Sequence, residues 1–163
     1  MHINGGLTLA KAGSLALRTT GAVSVATNNP VAIVWGAREG NLDTRMYTHN
    51  LGSFTITVNQ TGRYKIAFNM NVRMTGSSLS TASRTDTVVA FIAVNNQTVS
   101  RSQTYGAPYQ QSGGYVTLSN ILDNIQLNAG ATVVLYVYRL ITTGTISTIS
   151  GETNMTIEMV TKG

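Results

Sequence analysis

Two histidines, six carboxylates and no cysteine are the groups from which this 163-residue chain could build a chemical site. His2 and His49 stand far apart, and neither has a cysteine for company, so a histidine-based zinc site or a catalytic triad is not expected. The acids Glu39, Asp43, Asp86, Asp123, Glu152 and Glu158 never cluster with the spacing of a calcium loop. Spacing alone does not decide whether folding brings two of them to the separation of a glycosidase pair. No glycine-rich loop follows a strand and opens a helix, so no phosphate cradle is expected. The expectation is a non-enzymatic chain with no catalytic residue, metal or cofactor. The best candidates for a ligand contact are Tyr105 and Tyr109, in a polar loop over 101–114. Amphipathic aromatics in an exposed loop suit sugars or protein epitopes, and the plainer alternative folds them back onto the body.

The background composition agrees with a protein that binds rather than reacts. Hydrophobic residues make up 42% and charged residues only 10%, so the polar surface must come from Thr, Ser, Asn and Gln. So little charge on a soluble chain points to a surface largely covered by other protein. The net charge of +5 is spread over scattered Lys and Arg, with only Arg63 and Lys65 close together. Without a basic run or an aromatic platform, nucleic acid is not an expected partner. No segment approaches the apolar length of a membrane-spanning helix, so no membrane partner is expected either. Met1–Gly6 lacks a basic start followed by an apolar run, so no signal peptide is expected, and work outside a cell would follow lysis or carriage on a particle. Asn59-Gln60-Thr61, Asn96-Gln97-Thr98 and Asn154-Met155-Thr156 are formal glycosylation sequons, expected by chance in so Asn- and Thr-rich a chain.

The elements that would position any site are strands. In Gly62–Arg73, Tyr64, Ile66, Phe68, Met70 and Val72 fall on one face, and Arg63, Lys65, Asn69, Asn71 and Arg73 on the other, with small Ala67 among them. That alternation marks a half-buried antiparallel strand, and Gly62 supplies the free backbone angle of the turn before it. Leu51–Val58, with Phe54, Ile56 and Val58 inward, is expected to form a hairpin with it through Asn59–Gly62. Val31–Trp35, Val88–Val94, Tyr115–Leu122, Ile125–Leu127, Thr132–Ile141 and Asn154–Val160 complete eight or nine strands, with a turn at Asn95-Asn96 and polar loops over 75–87, 101–114 and 142–151. No helical period appears. The expected fold is all-β, a β-sandwich, most simply a jelly roll over residues 30–163.

Residues 1–29 read differently. Leu7, Leu9, Leu15, Leu17, Val23 and Val25 alternate weakly among small residues and glycines. These are too few to build a core, so the segment is expected to be an extended N-terminal arm that orders on a partner surface, a frayed tail being the alternative. A partner is also implied by strands 88–94 and 132–141, apolar on both faces. One core covers only one face of each, and the other would leave a large apolar patch wet unless the arm or a loop covers it within one chain. Phe91, Val133, Leu135, Tyr136, Val137 and Tyr138 are therefore the candidate subunit interface.

Gly52-x-Phe54 followed by Gly62-x-Tyr64-x-Ile66 resembles the "GxF … GxYxF" signature of the tumour necrosis factor-like and complement globular-head jelly roll. Val94-Asn95-Asn96-Gln97-Thr98-Val99 resembles that family's strand, turn and strand, although its turn is usually Asn-Gly. Tyr115–Ser119 with Leu127–Val133 resembles its "l.L..GD.V.L" segment, with Ala131 in place of the usual Asp. Met155–Met159 stands where the family's last core strand stands. The resemblance covers about residues 31–161 and implies a ten-stranded jelly roll that forms a homotrimer around an apolar and aromatic axis. No collagen-like stalk precedes it, which disfavours a circulating complement-type protein. A stalkless, cysteine-free version with an apolar arm resembles bacteriophage virion proteins. The implied function is a capsid decoration (cement) protein on the virion surface, its arm on the major capsid protein or another virion protein. The alternative is the receptor-binding head of a tail or head fibre, with a host glycan as ligand. A cellular complement-like adhesion or spore-surface module is the third.

Overall fold

The computed structural model describes residues 13–76, 87–108, 113–140 and 144–163. Leu7, Leu9, Tyr109, His2 and Asp86 lie outside them. Among the described residues twelve strands follow in order: β1 (Ser14–Arg18), β2 (Val31–Ala32), β3 (Ala37–Glu39), β4 (Tyr47–Thr48), β5 (Ile56–Val58), β6 (Gly62–Gly76), β7 (Val88–Val94), β8 (Gln97–Thr98), β9 (Thr104–Gly106), β10 (Tyr115–Leu127), β11 (Thr132–Arg139) and β12 (Thr145–Lys162). They form two antiparallel sheets. The first runs β10-β6-β12-β1-β3, and the second β4-β5-β11-β7-β8 with β2 beside β11 and β9 beside β7. The expected all-β jelly-roll sandwich is what the chain forms.

The β6 alternation holds in full: Tyr64, Ile66, Phe68, Met70 and Val72 are buried in the core between the sheets. Asn95 and Asn96 both adopt positive φ, 50° and 62°, as a tight β7–β8 turn of the right twist requires. Gly62 is needed for a different reason from the one expected. Its φ is not positive; a Cβ there would stand 2.6 Å from the Thr161 carbonyl oxygen.

Several expectations are overturned. β5 does not form a hairpin with β6: it pairs with β4 and β11, while β6 pairs with β10 and β12. The Asn59–Thr61 link therefore crosses from one sheet to the other, and Phe54 is 45% exposed rather than inward. Residues 115–127 are one strand, with a register shift between Leu122 and Ile125 where Asn124 takes a positive φ. Most of the loop expected over 142–151 is the first part of β12, which carries an irregularity between Thr148 and Thr153.

The described part of the expected arm, residues 13–29, is also built into the sandwich. β1 lies between β12 and β3, with Leu15 opposite Ile157 and Leu17 opposite Met155 and Arg38. Leu15, Leu17 and Val25 belong to the chain's own core, and Val23 packs against it. Beyond β1 the backbone stays fastened: Thr19 N–H to Thr153 O, Val25 N–H to Ile146 O, then Asn28 N–H to Arg139 O. This strap passes from β12 to β11 and joins the two sheets. Among the described residues, Leu15, Leu17, Val23 and Val25 are core or core-packed residues, not a free capsid-contact surface. Their small number suffices because a strand flanked by two others needs few large side chains to be held.

Candidate functional site

The two outward sheet faces differ in chemistry. On the second sheet the register sets Tyr105, Val89 and Tyr138 in one row, then Phe91 and Tyr136 beside Ala32, then Ala93 beside Val134. The rings of Phe91 and Tyr136 stack with centroids 5.3 Å apart, and Phe91 meets Tyr138 edge-on at 6.0 Å. Such contacts hold the aromatic rows in fixed orientation. The interface candidates therefore separate by face. Val133, Leu135 and Val137 point inward and are fully buried in the core of their own chain. Phe91, Tyr136 and Tyr138 share the outer face with Tyr105. β11 is apolar on both sides, so alternation could not say which set faced in.

Even this outer face is mostly covered within one chain. Phe91 is 7% exposed, and Val89, Ala93 and Val134 are likewise buried. Tyr105 is the open exception at 60%, its hydroxyl donating to Gln103 Oε1 at 3.3 Å. Among the described residues, the large wet apolar patch expected from two-faced strands shrinks to Tyr105 and the half-buried Tyr136 and Tyr138.

The first sheet carries what sequence reasoning missed. A groove of about 730 Å³ runs over β6, β10 and β12, lined by Ala67, Asn69, Thr117, Ser119, Ile121, Asn154 and Thr156 among others. Its rows follow from register: Ala67 lies between Ile121 and Thr156, Asn69 between Ser119 and Asn154, and Asn71 opposite Thr117. Small Ala67 and short Ser and Thr side chains leave the middle of the sheet low. Asn71 is engaged, accepting from Thr117 Oγ1 at 2.6 Å and donating to Glu152 Oε2 at 2.8 Å. Asn69 Oδ1 is shielded from solvent with no hydrogen-bond partner. Ile121 is 55% exposed beside it. The basic residues of β6 stand toward its ends: Lys65 opposite Glu158, Arg63 opposite Gln126, and Arg73 opposite Tyr115. The Ala67 and Asn69 rows are uncharged. The signal in the sequence was the run of small and amide residues on the polar face of β6, overshadowed by its flanking charges.

The groups that could do chemistry stay apart. Among the described residues no three of His, Asp and Glu stand close enough to hold a metal ion. Asp43 is engaged by Arg45, Nε to Oδ1 and NH2 to Oδ2 both at 3.1 Å, and the hydrogen bond from Arg45 holds its carboxyl below the usual range. His49 is buried, and Glu158 sits opposite Lys65 on β12.

The sandwich also has two unlike ends. The described chain enters at Gly13, whose carbonyl accepts from Met159 N–H and from the hydroxyl of Tyr47. Close by, Gly62 lies opposite both Leu127 and Lys162. At the other end stand Gly76 beside Thr145, Val88 beside Gly106 and Arg139, and Gly113 bonded to Met74. These residues flank 77–86, 109–112 and 141–143, so all three connections depart from the end opposite Gly13.

No family model matches the sequence, and no curated protein matches it. Solved structures do match in shape. A tumour necrosis factor, Eiger from S. frugiperda, superposes with a TM-score of 0.59 at 12% identity, over 92% of this chain and 93% of that one. Murine APRIL gives 0.57 at 13% identity, over 91% of this chain and 98% of that one. The fold is the tumour necrosis factor-like jelly roll, shared with these two proteins at 12–13% identity.

Proposed function

We propose that the chain is the subunit of a non-enzymatic homotrimer on a bacteriophage virion, a decoration protein that cements the capsid surface. The residues ahead of Gly13 attach to the major capsid protein or another virion protein, and the jelly roll faces outward. The observation that carries this reading is the polarity of the sandwich. The described chain enters at one end, at Gly13, and the connections 77–86, 109–112 and 141–143 leave from the other. Three such attachments on one particle raise the effective affinity without any new contact.

For the trimer contact, the first sheet is the better surface. The argument from wet apolar area fails for Phe91, already buried, and passes to the β6–β10–β12 groove. There a second copy would cover Ile121, which a single chain leaves 55% exposed. The resemblance to the tumour necrosis factor-like family supports three copies.

One observation favours the fibre-head alternative. Tyr105 lies open beside Tyr138, in uncharged rows next to the outward end, as stacking on a neutral host glycan would need. A paired experiment separates the two. A chain lacking residues 1–12 and the Tyr105→Ala variant are each tested for co-sedimentation with purified phage heads and for adsorption to host cells. Decoration predicts that the truncation loses the heads while staying folded, and that Tyr105→Ala changes nothing. Undiminished co-sedimentation of the truncated chain contradicts attachment through that segment. Loss of cell adsorption in Tyr105→Ala moves the assignment to the fibre head.

A further inference from the structure

The turn after β4 holds a histidine whose protonation state is set by its surroundings. His49 is 4% exposed, and its Nε2 lies 3.3 Å from the carbonyl oxygen of Ser53. A carbonyl only accepts, so Nε2 carries the ring proton and Nδ1 keeps its lone pair. Nδ1 is itself shielded from solvent and has no hydrogen-bond partner. The same Ser53 carbonyl accepts the backbone N–H of Trp35 at 3.1 Å, and the Trp35 carbonyl accepts from Gly52 N–H at 2.8 Å. The imidazole and the Trp35 backbone thus share one anchor, which fastens the Asn50–Ser53 turn beside a fully buried indole.

The charge nearest this anchor is a cation. Arg38 lies opposite Leu17 and so faces the core side of β3, where its NH1 donates to the His49 carbonyl at 3.4 Å. Its neighbour Glu39 lies opposite Ala16 and faces the other way, as does Arg18, opposite Ala37. Asp43, in the preceding loop, is held by Arg45. No carboxylate among the described residues is placed to offset a charge on His49.

We propose that His49 is an acid-operated latch: uptake of a proton at Nδ1 unfastens the turn from Trp35 and loosens this edge of the sandwich. The new N–H is a buried donor without an acceptor, and the new charge stands beside the Arg38 guanidinium. Burial first, with Arg38 adding to it against the pull of the Ser53 hydrogen bond, holds the imidazole below its ordinary value of 6.5. The unfolded or loosened state therefore takes up the proton first as pH falls. The stabilisation is complete above 6.5 and is lost as pH falls through the lower, folded value.

Trp35 is the chain's one tryptophan, so its emission reports the latch directly. Emission of the intact protein is followed from about pH 8 to about pH 4, around the range in which histidine titrates. The latch predicts a reversible red shift with its midpoint below 6.5. It predicts no such shift in His49→Gln, and a midpoint moved upward in Arg38→Gln. Flat wild-type emission, or the same transition in His49→Gln, overturns the proposal. Should His49→Gln fail to fold, Arg38→Gln decides: a raised midpoint supports the latch and an unchanged one overturns it.

Discussion

Single residues of this chain were legible where one face of a strand meets water. β6 alternates large apolar side chains with polar or small ones without a break, and its five inward residues are buried as its pattern requires. On β11 the same logic lost its contrast, because Val133, Leu135 and Val137 on one face and Val134, Tyr136 and Tyr138 on the other are all large side chains that a core can bury. Alternation cannot name the inward set when both faces are covered. Gly62 shows a second limit: the sequence marks a glycine, but only the structure says that space and not φ demands it. Gly62→Ala should lose about 1–3 kcal/mol, the usual cost of forcing atoms into a packed site. Chemical denaturation checks this, and a variant as stable as the parent would show that the Thr161 backbone can move aside. Tyr47 is a third case, because its hydroxyl ties β4 in one sheet to Gly13 beside the other, and burial pushes its pKa well up. Nothing local in the sequence signals that tie.

At the level of elements, turns were easier to see than partners. A turn signal says that the chain reverses, and the nearest strand is the default neighbour. In a jelly roll successive strands often lie in different sheets, so Asn59–Thr61 and Asn128–Ala131 each lead across the sandwich. β1 was the larger surprise. Its Leu15 and Leu17 are sparse, yet the strand is hydrogen-bonded on both edges, to β12 and β3. Removing it would bare both of those edges and open the core. Truncation should therefore act as a step. A chain starting at Gly13 keeps a cooperative thermal transition, and one starting after Arg18 loses it or aggregates. Circular dichroism melts of the two chains check this. Equal melts would mean that β1 is only laid on a sheet that stands without it.

The whole molecule is a sandwich with two outward faces and two ends, and function must be argued from those four surfaces. Its fold class was readable from strand spacing and from the order of short motifs, because these reflect local turn chemistry and one shared core. The groove on the first sheet was not readable, since it depends on three distant strands setting Ala67, Asn69 and Ile121 side by side. The aromatic face on the second sheet was readable in part, and its burial within one chain is the alternative to the subunit contact expected there. The account stands on assembly through the β6–β10–β12 face, which would leave the Gly13 end free to anchor and the opposite end free to face outward. Light scattering on the eluting protein tests this most directly, with Ile121→Arg and Tyr138→Arg run beside the parent. The account predicts a parent of three times the 17.3 kDa chain mass, a folded Ile121→Arg monomer, and a Tyr138→Arg that stays trimeric. A monomeric parent, or a trimer that survives Ile121→Arg and falls apart with Tyr138→Arg, would contradict it.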